Sequence, residues 1–304
     1  MGTGAGRAGA SLTAAGGHLP GAALHVQTFG GFCLYRDGRP EPAASWRRQA
    51  AKPLLVRLLL AEGRPVPKSD LYGVLWPEVP EAAAANRLRV TLHALRRVLE
   101  PGLPPRLPSA YLIVNRYECA LPAHPNLRWD GGVLAEGVAK AASAAQVPAE
   151  VAALLRGLAG VAGPWLPEMD NLGTFAAARW RLQELALTAA LRLAELALDR
   201  GVVAAAETAI ERALAIDPGS EQAYALLLRA AGASGRSGRV RRAYAYTCAQ
   251  LREHVDVEPG PGLRRIAAEA LEAARARVAR PRPRPAGYPA GGSPSGTARG
   301  ASIQ

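Results

Sequence analysis

The run Asn86-Arg-Leu-Arg-Val-Thr-Leu-His-Ala-Leu-Arg-Arg-Val-Leu-Glu100 gathers the side chains of this sequence best suited to recognising a polyanion. At about 100° per residue, Leu88, Leu92, Leu95 and Leu99 fall on one stripe of a helix. Asn86, His93 and Arg97 then lie nearly opposite, flanked by Arg89 and Arg96. One stripe packs; the other offers hydrogen-bond donors with no acid nearby until Glu100. Such a helix suits the major groove of duplex DNA, where arginine pairs with guanine edges and asparagine with adenine. The plain alternative is a solvated face, since arginine-rich helices commonly meet water.

Taken singly, the residues divide by position. Arg97, opposite the leucines, is the leading candidate for a base-edge or groove contact. Asn86 fits either adenine recognition or a cap, because asparagine at a helix start satisfies backbone donors. His93 reads as DNA-facing. A metal role is set aside, since no second ligand stands at a helical spacing that completes a site. Arg89 and Arg96 are placed for phosphates, contacts that strengthen binding to every sequence. Arg87 belongs to the same basic run, and Arg116 sits at the tip of a later hairpin. Arg47, Arg48 and Lys52 either touch phosphates or solvate the start of an earlier helix.

The elements that must hold this helix are legible in the pattern. Alternation in Leu24-His-Val-Gln-Thr-Phe29 and Phe32-Cys-Leu-Tyr35, broken by Gly30-Gly31, predicts two strands, with Asp37-Gly38 as a hairpin turn. Leu54, Leu55, Leu58 and Leu59 recur at helical spacing between Gln49 and Leu60, and Gly63 stops that helix. Ser69 is expected to cap a short helix over Asp70–Leu75, which Pro77 ends. The basic helix follows over Glu81–Leu99. Tyr111 to Leu121 then reads as a hairpin turning at Asn115-Arg116. Strands, three helices and a terminal hairpin make a winged helix, whose third helix enters the major groove while the hairpin reaches a flanking phosphate or the minor groove.

Beyond residue 122 the pattern changes. Residues 123–180 combine an alanine-rich, helix-forming stretch with the turn Gly163-Pro-Trp-Leu-Pro167. Then Gly201 and Gly235 stand thirty-four residues apart, and the same offset pairs Ala206 with Val240, Ile210 with Tyr244 and Ala213 with Thr247. That period predicts tetratricopeptide-like helix pairs over Thr174–Arg200, Val202–Ile216, Ser220–Ala233 and Val240–Val255, capped by Leu263–Val278. The aromatic residue usual early in such repeats is missing at Ala197 and Ala231. The expected fold class is therefore an α+β N-terminal winged helix followed by an all-α tetratricopeptide-like domain. Its divisions are 21–122 for DNA binding and 123–278 for the helical domain, between a Gly/Ala-rich stretch at 1–20 and a Pro/Gly/Arg-rich tail at 279–304, both expected to be disordered.

Charge divides along the same line. The formal charge of +12 comes from a net +7 in residues 1–122, none in 123–270 and +5 in 271–304. A basic module is thus joined to a neutral one. Cys33, Cys119 and Cys248 fit neither a disulfide framework nor a metal spacing. No cofactor is expected. The scattered histidines, with no phosphate loop and no clustered nucleophile and base, argue against an enzyme. Without a signal or a membrane span in the sequence, a cytoplasmic, nucleoid-associated location is expected.

In order and in motif the chain resembles the Streptomyces antibiotic regulatory protein family, activators with an OmpR-type winged helix and a bacterial transcriptional activator domain. The residues carrying the resemblance are Phe29-Gly-Gly-Phe32, Gly63-Arg-Pro-Val66, Leu75-Trp-Pro77, the run from Asn86 to Leu99, Gly163-Pro-Trp-Leu-Pro167, Ala213-Leu-Ala-Ile-Asp-Pro218 and Val257-Glu-Pro259. With no phosphate-binding glycine-lysine motif and no long C-terminal extension, it resembles the compact members. The resemblance implies promoter binding on direct repeats by two protomers, a homodimer on double-stranded DNA, and recruitment of RNA polymerase holoenzyme. The competing reading from the residues is a helical-repeat adaptor whose basic N-terminal domain binds a partner without reading DNA. Arg236, Arg239, Arg241 and Arg242, between two predicted helices, meet DNA, an acidic partner or water. Arg280, Arg282 and Arg284 add nonspecific DNA attraction or belong to a plain linker. Trp46 and Trp76 are expected in the core, as are the tyrosines of the repeats, Tyr224, Tyr244 and Tyr246.

Overall fold

The computed structural model describes residues 22–279, apart from 105 and 170–172. Except for residue 279, which closes the last helix, the two terminal stretches expected to be disordered lie outside the described residues.

Strand β1 (Leu24–Gln27) buries Leu24 and Val26 and pairs antiparallel with β2 (Cys33–Arg36) in the register Leu24↔Arg36 to Gln27↔Cys33. The turn into β3 (Arg39–Pro40) places both Asp37 and Gly38 at positive φ, 50° and 76°, which a tight two-residue hairpin requires. Helix α1 (Ala51–Leu59) sinks Leu54, Leu55, Val56 and Leu58 completely. A short strand β4 (Val66–Pro67) leads into α2 (Lys68–Leu75).

The start of α2 corrects the expected Ser69 cap. The helix begins at Lys68, whose N–H donates to the Tyr117 carbonyl at 2.8 Å, so the later hairpin anchors the first turn and Pro67 occupies the capping position. Ser69 lies inside the helix with its hydroxyl 3.3 Å from the Asp70 carboxylate.

Helix α3 (Glu81–Leu99) is followed by β5 (Ile113–Val114) and β6 (Glu118–Ala120), which form with β4 a three-stranded sheet in the order β4-β6-β5. Asn115 holds the hairpin tip, its side-chain oxygen accepting from the N–H groups of Tyr117 (2.8 Å) and Glu118 (2.7 Å). Next, β7 (Leu127–Trp129) returns to lie parallel to β1, giving the four-stranded order β3-β2-β1-β7.

The remainder is helical: α4 (Asp130–Ala142), α5 (Val147–Leu158), α6 (Ala176–Asp199), α7 (Val203–Ile216), α8 (Glu221–Ala233), α9 (Ser237–Val255) and α10 (Pro261–Ala279). The thirty-four-residue period has a structural meaning. Gly201 and Gly235 follow the ends of α6 and α8 at φ 71° and 69°, the left-handed conformation that terminates a helix at least cost in glycine. Of the paired positions, Ala206, Val240, Ile210, Ala213 and Thr247 are buried, and Tyr244 is half-buried. Where α4 crosses α5, a Cβ at Gly137 would lie 2.6 Å from the Gly157 Cα, so the helices touch backbone to backbone. The fold is a winged helix followed by an all-α repeat domain, with one hydrophobic core running from β1 to α8 and a second among α8, α9 and α10. Among the described residues no helix is long and apolar enough to cross a membrane.

Trp46 and Tyr224 are core residues as expected and Trp76 packs against the core, but Tyr246 is 48% exposed. It stands on the outer side of α9, its ring edge-on to Tyr224 at 6.4 Å between centroids. Cys119 is buried and its thiol is pushed up to about 11 by desolvation, while Cys33 and Cys248 are half-buried.

Candidate nucleic-acid interface

Helix α3 forms because Ala82–Ala85 supply strong helix formers, Glu81 sits in the first turn and Arg96 and Arg97 in the last, each charge complementing the helix dipole. Its inner face buries Ala84, Leu88, Leu92, Leu95, Val98 and Leu99. Thr91, also inward, satisfies its hydroxyl on the Arg87 carbonyl one turn back, at 2.8 Å. The outer face leaves Asn86, Arg87, Arg89, His93 and Arg97 exposed.

Asn86 is the sixth residue of α3, which begins at Glu81, so a capping role falls away. Its side-chain oxygen instead accepts from Arg89 Nη2 at 3.0 Å, binding the two into one donor-rich patch. Arg96 is half-buried, with its Nη2 enclosed and lacking a hydrogen-bond partner. Among the described residues no carboxylate forms an ion pair with Arg87, Arg89, Arg96, Arg97 or Arg116.

Two grooves flank the ridge. One, of about 720 Å³, runs between α3 and the hairpin and brings together Lys68, Arg89, His93, Arg96 and Arg116. The other, about 430 Å³, lies toward the loop before α1 and joins Arg47, Arg48, His93 and Arg97. His93 borders both, so it stands on the crest. Arg87 turns away to a third depression with Arg48, Asn86 and Trp76. Arg116 is exposed at the hairpin tip, its guanidinium 5.4 Å from the Tyr117 ring centre. The Lys52 ammonium sits 5.4 Å over Phe32 and 5.9 Å over Trp46, and the two rings meet edge to face at 5.0 Å. It braces an aromatic corner. Arg47 and Arg48 remain exposed.

Sequence reasoning missed what holds α3 in place. Arg36 of β2 donates to the carbonyls of Val98 (2.6 Å) and Leu99 (3.2 Å) while its Nε pairs with Glu41 at 2.5 Å, so one guanidinium ties the C-terminus of α3 to the sheet. Charge beside a strand end carries no signal for this.

The second omission is the junction between the halves. The Asp130 carboxylate, 1% exposed, accepts from the N–H groups of Thr28 (2.6 Å), Phe29 (2.8 Å) and Gly131 (2.8 Å) and from the Thr28 hydroxyl (2.5 Å). Burial raises its pKa, and these four donors oppose that rise. Thr28 in turn accepts from the indole N–H groups of Trp129 (3.0 Å) and Trp165 (2.9 Å). Its hydroxyl thus uses its one donor and both lone pairs. Beside it, Phe29 bridges Trp165, Gly30 N–H donates to the Pro164 carbonyl and Leu166 N–H to the Thr28 carbonyl. The motifs Phe29-Gly-Gly-Phe32 and Gly163-Pro-Trp-Leu-Pro167 are therefore two sides of one contact. Among the described residues no group of three or more His, Cys, Asp and Glu converges as a metal site.

With this geometry established, the comparisons are direct. Residues 130–271 match the bacterial transcriptional activator domain. The regulatory protein AfsR of Streptomyces coelicolor is 32% identical over 260 residues, covering 83% of this chain and 24% of its own length. AfsR of Streptomyces griseus is 29% identical over 266 residues, covering 86% and 25%. The chain spans about a quarter of the length of these curated relatives. Among solved structures, Mycobacterium tuberculosis EmbR in complex with a low affinity phosphopeptide aligns with a TM-score of 0.60 at 23% identity, over 84% of this chain and 70% of that one, and shares the fold. These relatives are named as regulatory proteins. Residues 130–271 thus carry the bacterial transcriptional activator domain, and over most of its length the chain is similar to the Streptomyces regulatory proteins named AfsR.

Proposed function

We propose that this chain reads specific sequences of double-stranded DNA, with α3 in the major groove and the β5–β6 hairpin against an adjacent phosphate or the minor groove. Residues 21–122 act as the reader. Residues 123–278 form the helical unit that lends β7 to the reader's sheet and meets protein partners. The observation carrying this reading is the outer face of α3, where Arg87, Arg89, His93 and Arg97 stand exposed and free of ion pairs to carboxylates among the described residues. Arg97 and Asn86 address base edges; Arg89, Arg96 and Arg116 address phosphates. Two protomers on a promoter direct repeat, recruiting RNA polymerase holoenzyme in the cytoplasm, complete the proposal. It rests on kinship with activators.

The test is selection of fragmented genomic DNA by the purified protein, run beside an Arg97→Ala/His93→Ala variant. Enrichment of a few intergenic fragments sharing a spaced direct repeat, lost in the variant, is the expected result. Uniform, salt-sensitive recovery of every fragment would leave a basic adaptor instead.

A further inference from the structure

The helical domain contains an apolar groove that DNA reading leaves unused. It opens where α5, α6 and α7 meet and holds about 380 Å³, within the roughly 300–1,000 Å³ span of small-molecule sites. Leu155, Leu193, Leu196 and Val202 line it. Leu155 and Val202 remain about half exposed at 51% and 50%, two apolar side chains left uncovered side by side on the rim of this groove.

Two arginines and no carboxylate complete the lining. Arg200 donates from Nη1 to the Leu196 carbonyl at 3.1 Å, and Arg212 from Nη1 to the Leu158 carbonyl at 3.0 Å. Each is tethered by one nitrogen and keeps its other donors. Among the described residues neither pairs with an acid. Arg192, two turns earlier on α6, shows the contrast, since it is bound to Glu150 at 2.7 Å and faces Glu195 at 3.8 Å. An oily trough bearing two tethered, unneutralised guanidinium groups has the composition of a site for an amphiphile with an anionic head.

We propose that this groove binds a small amphiphilic carboxylate, its apolar body on the leucines and valine and its carboxylate on Arg200 and Arg212. Charge-assisted, fork-like pairing favours an oxyanion over a hydroxyl of the same chain length. A cationic head meets two like charges and is rejected. The chain's own basic tail does not fit, because residues 271–304 carry six arginines and one acid.

The test titrates the full chain by calorimetry with decanoate, decanol and decylamine, each below its micellar concentration. Saturable one-to-one binding of decanoate is expected, with the other two about tenfold weaker or more, a difference of about 1.4 kcal/mol. Arg200→Gln/Arg212→Gln keeps a donor at each position and removes the charge, so decanoate binding falls about tenfold while decanol binding holds. Leu155→Glu places a carboxylate on an exposed rim position and abolishes decanoate binding at unchanged melting temperature. Equal affinity for all three heads, decanoate binding unaltered by Leu155→Glu, or binding of an acidic amphipathic peptide where decanoate fails would each overturn the proposal.

Discussion

Two helices of this protein are rich in arginine and differ in how much of it is neutralised. On α9 and its approach, Arg239 is ion-paired with Glu207 and Arg252 with Glu258, while Arg236, Arg241 and Arg242 stay exposed with no ion-paired acid among the described residues. On α3, Arg87, Arg89 and Arg97 face outward with no such acid among the described residues, although Glu81 and Glu100 end the same helix. The local supply of carboxylates, more than arginine density, separates the two helices: α9 has two of its arginines neutralised and α3 has none among the described residues. The same difference appears in the charge split, since residues 123–270 are neutral while residues 1–122 carry +7. A paired surface arginine contributes at most about 1 kcal/mol to folding. An unpaired one holds its interaction for something outside.

The largest effect expected from breaking this contrast follows loss of two outward arginines. Arg89→Ala/Arg97→Ala should cost about 2–6 kcal/mol of operator affinity, mostly as lost discrimination at the position Arg97 reads, with the melting temperature unchanged; competition against random duplex measures it. Next is the junction between the two halves. Asp130→Ala strands the buried donors of Thr28 and Phe29 and should lower stability by about 3 kcal/mol, read by chemical unfolding. A loss under about 1 kcal/mol would mean the halves are held by packing alone. At the hairpin, Arg116→Ala should weaken binding to all sequences about equally and reduce the salt slope of log K by about one, which binding isotherms at several salt concentrations report. Smallest is Glu207→Gln, which frees Arg239. Stability should shift by about 1 kcal/mol or less and DNA affinity should stay put. If freeing that arginine created DNA binding at α9, the distinction between the two helices would collapse.

What the sequence made legible was whatever repeats locally. The leucine stripe of the nineteen-residue α3 recurs at helical spacing, and the buried set matches it at Leu88, Leu92, Leu95 and Leu99. The paired glycines of the helix repeats announced helix ends because left-handed φ selects glycine. Illegible were contacts between residues far apart in the chain. Thr28 and Asp130 look like an ordinary strand threonine and an ordinary helix-start aspartate, and their partnership spans 102 residues. Arg36 offers no periodicity to betray two carbonyls of α3. Ser69 failed as a cap because a tertiary bond from Lys68 to Tyr117 overruled a local preference. In the candidate interface, the pattern chose the face, while the grooves and the diversion of Lys52 to two aromatic rings depended on neighbours from other elements.

The parallel pairing of β7 beside β1 sets a timetable for birth on the ribosome. The N-terminal sheet acquires its fourth strand after Trp129 emerges, and the Thr28 hydroxyl finds its last partner when Trp165, 137 residues downstream, is made. At about 5–20 residues per second, β1 waits roughly 5–20 s with an unpaired edge. Such an edge invites another nascent chain. Arg39 and Pro40 on the opposite border strand guard the far side of the sheet, but β1 depends on a segment not yet synthesised. Delivery of β7, ahead of the helices that follow it, is what closes that edge.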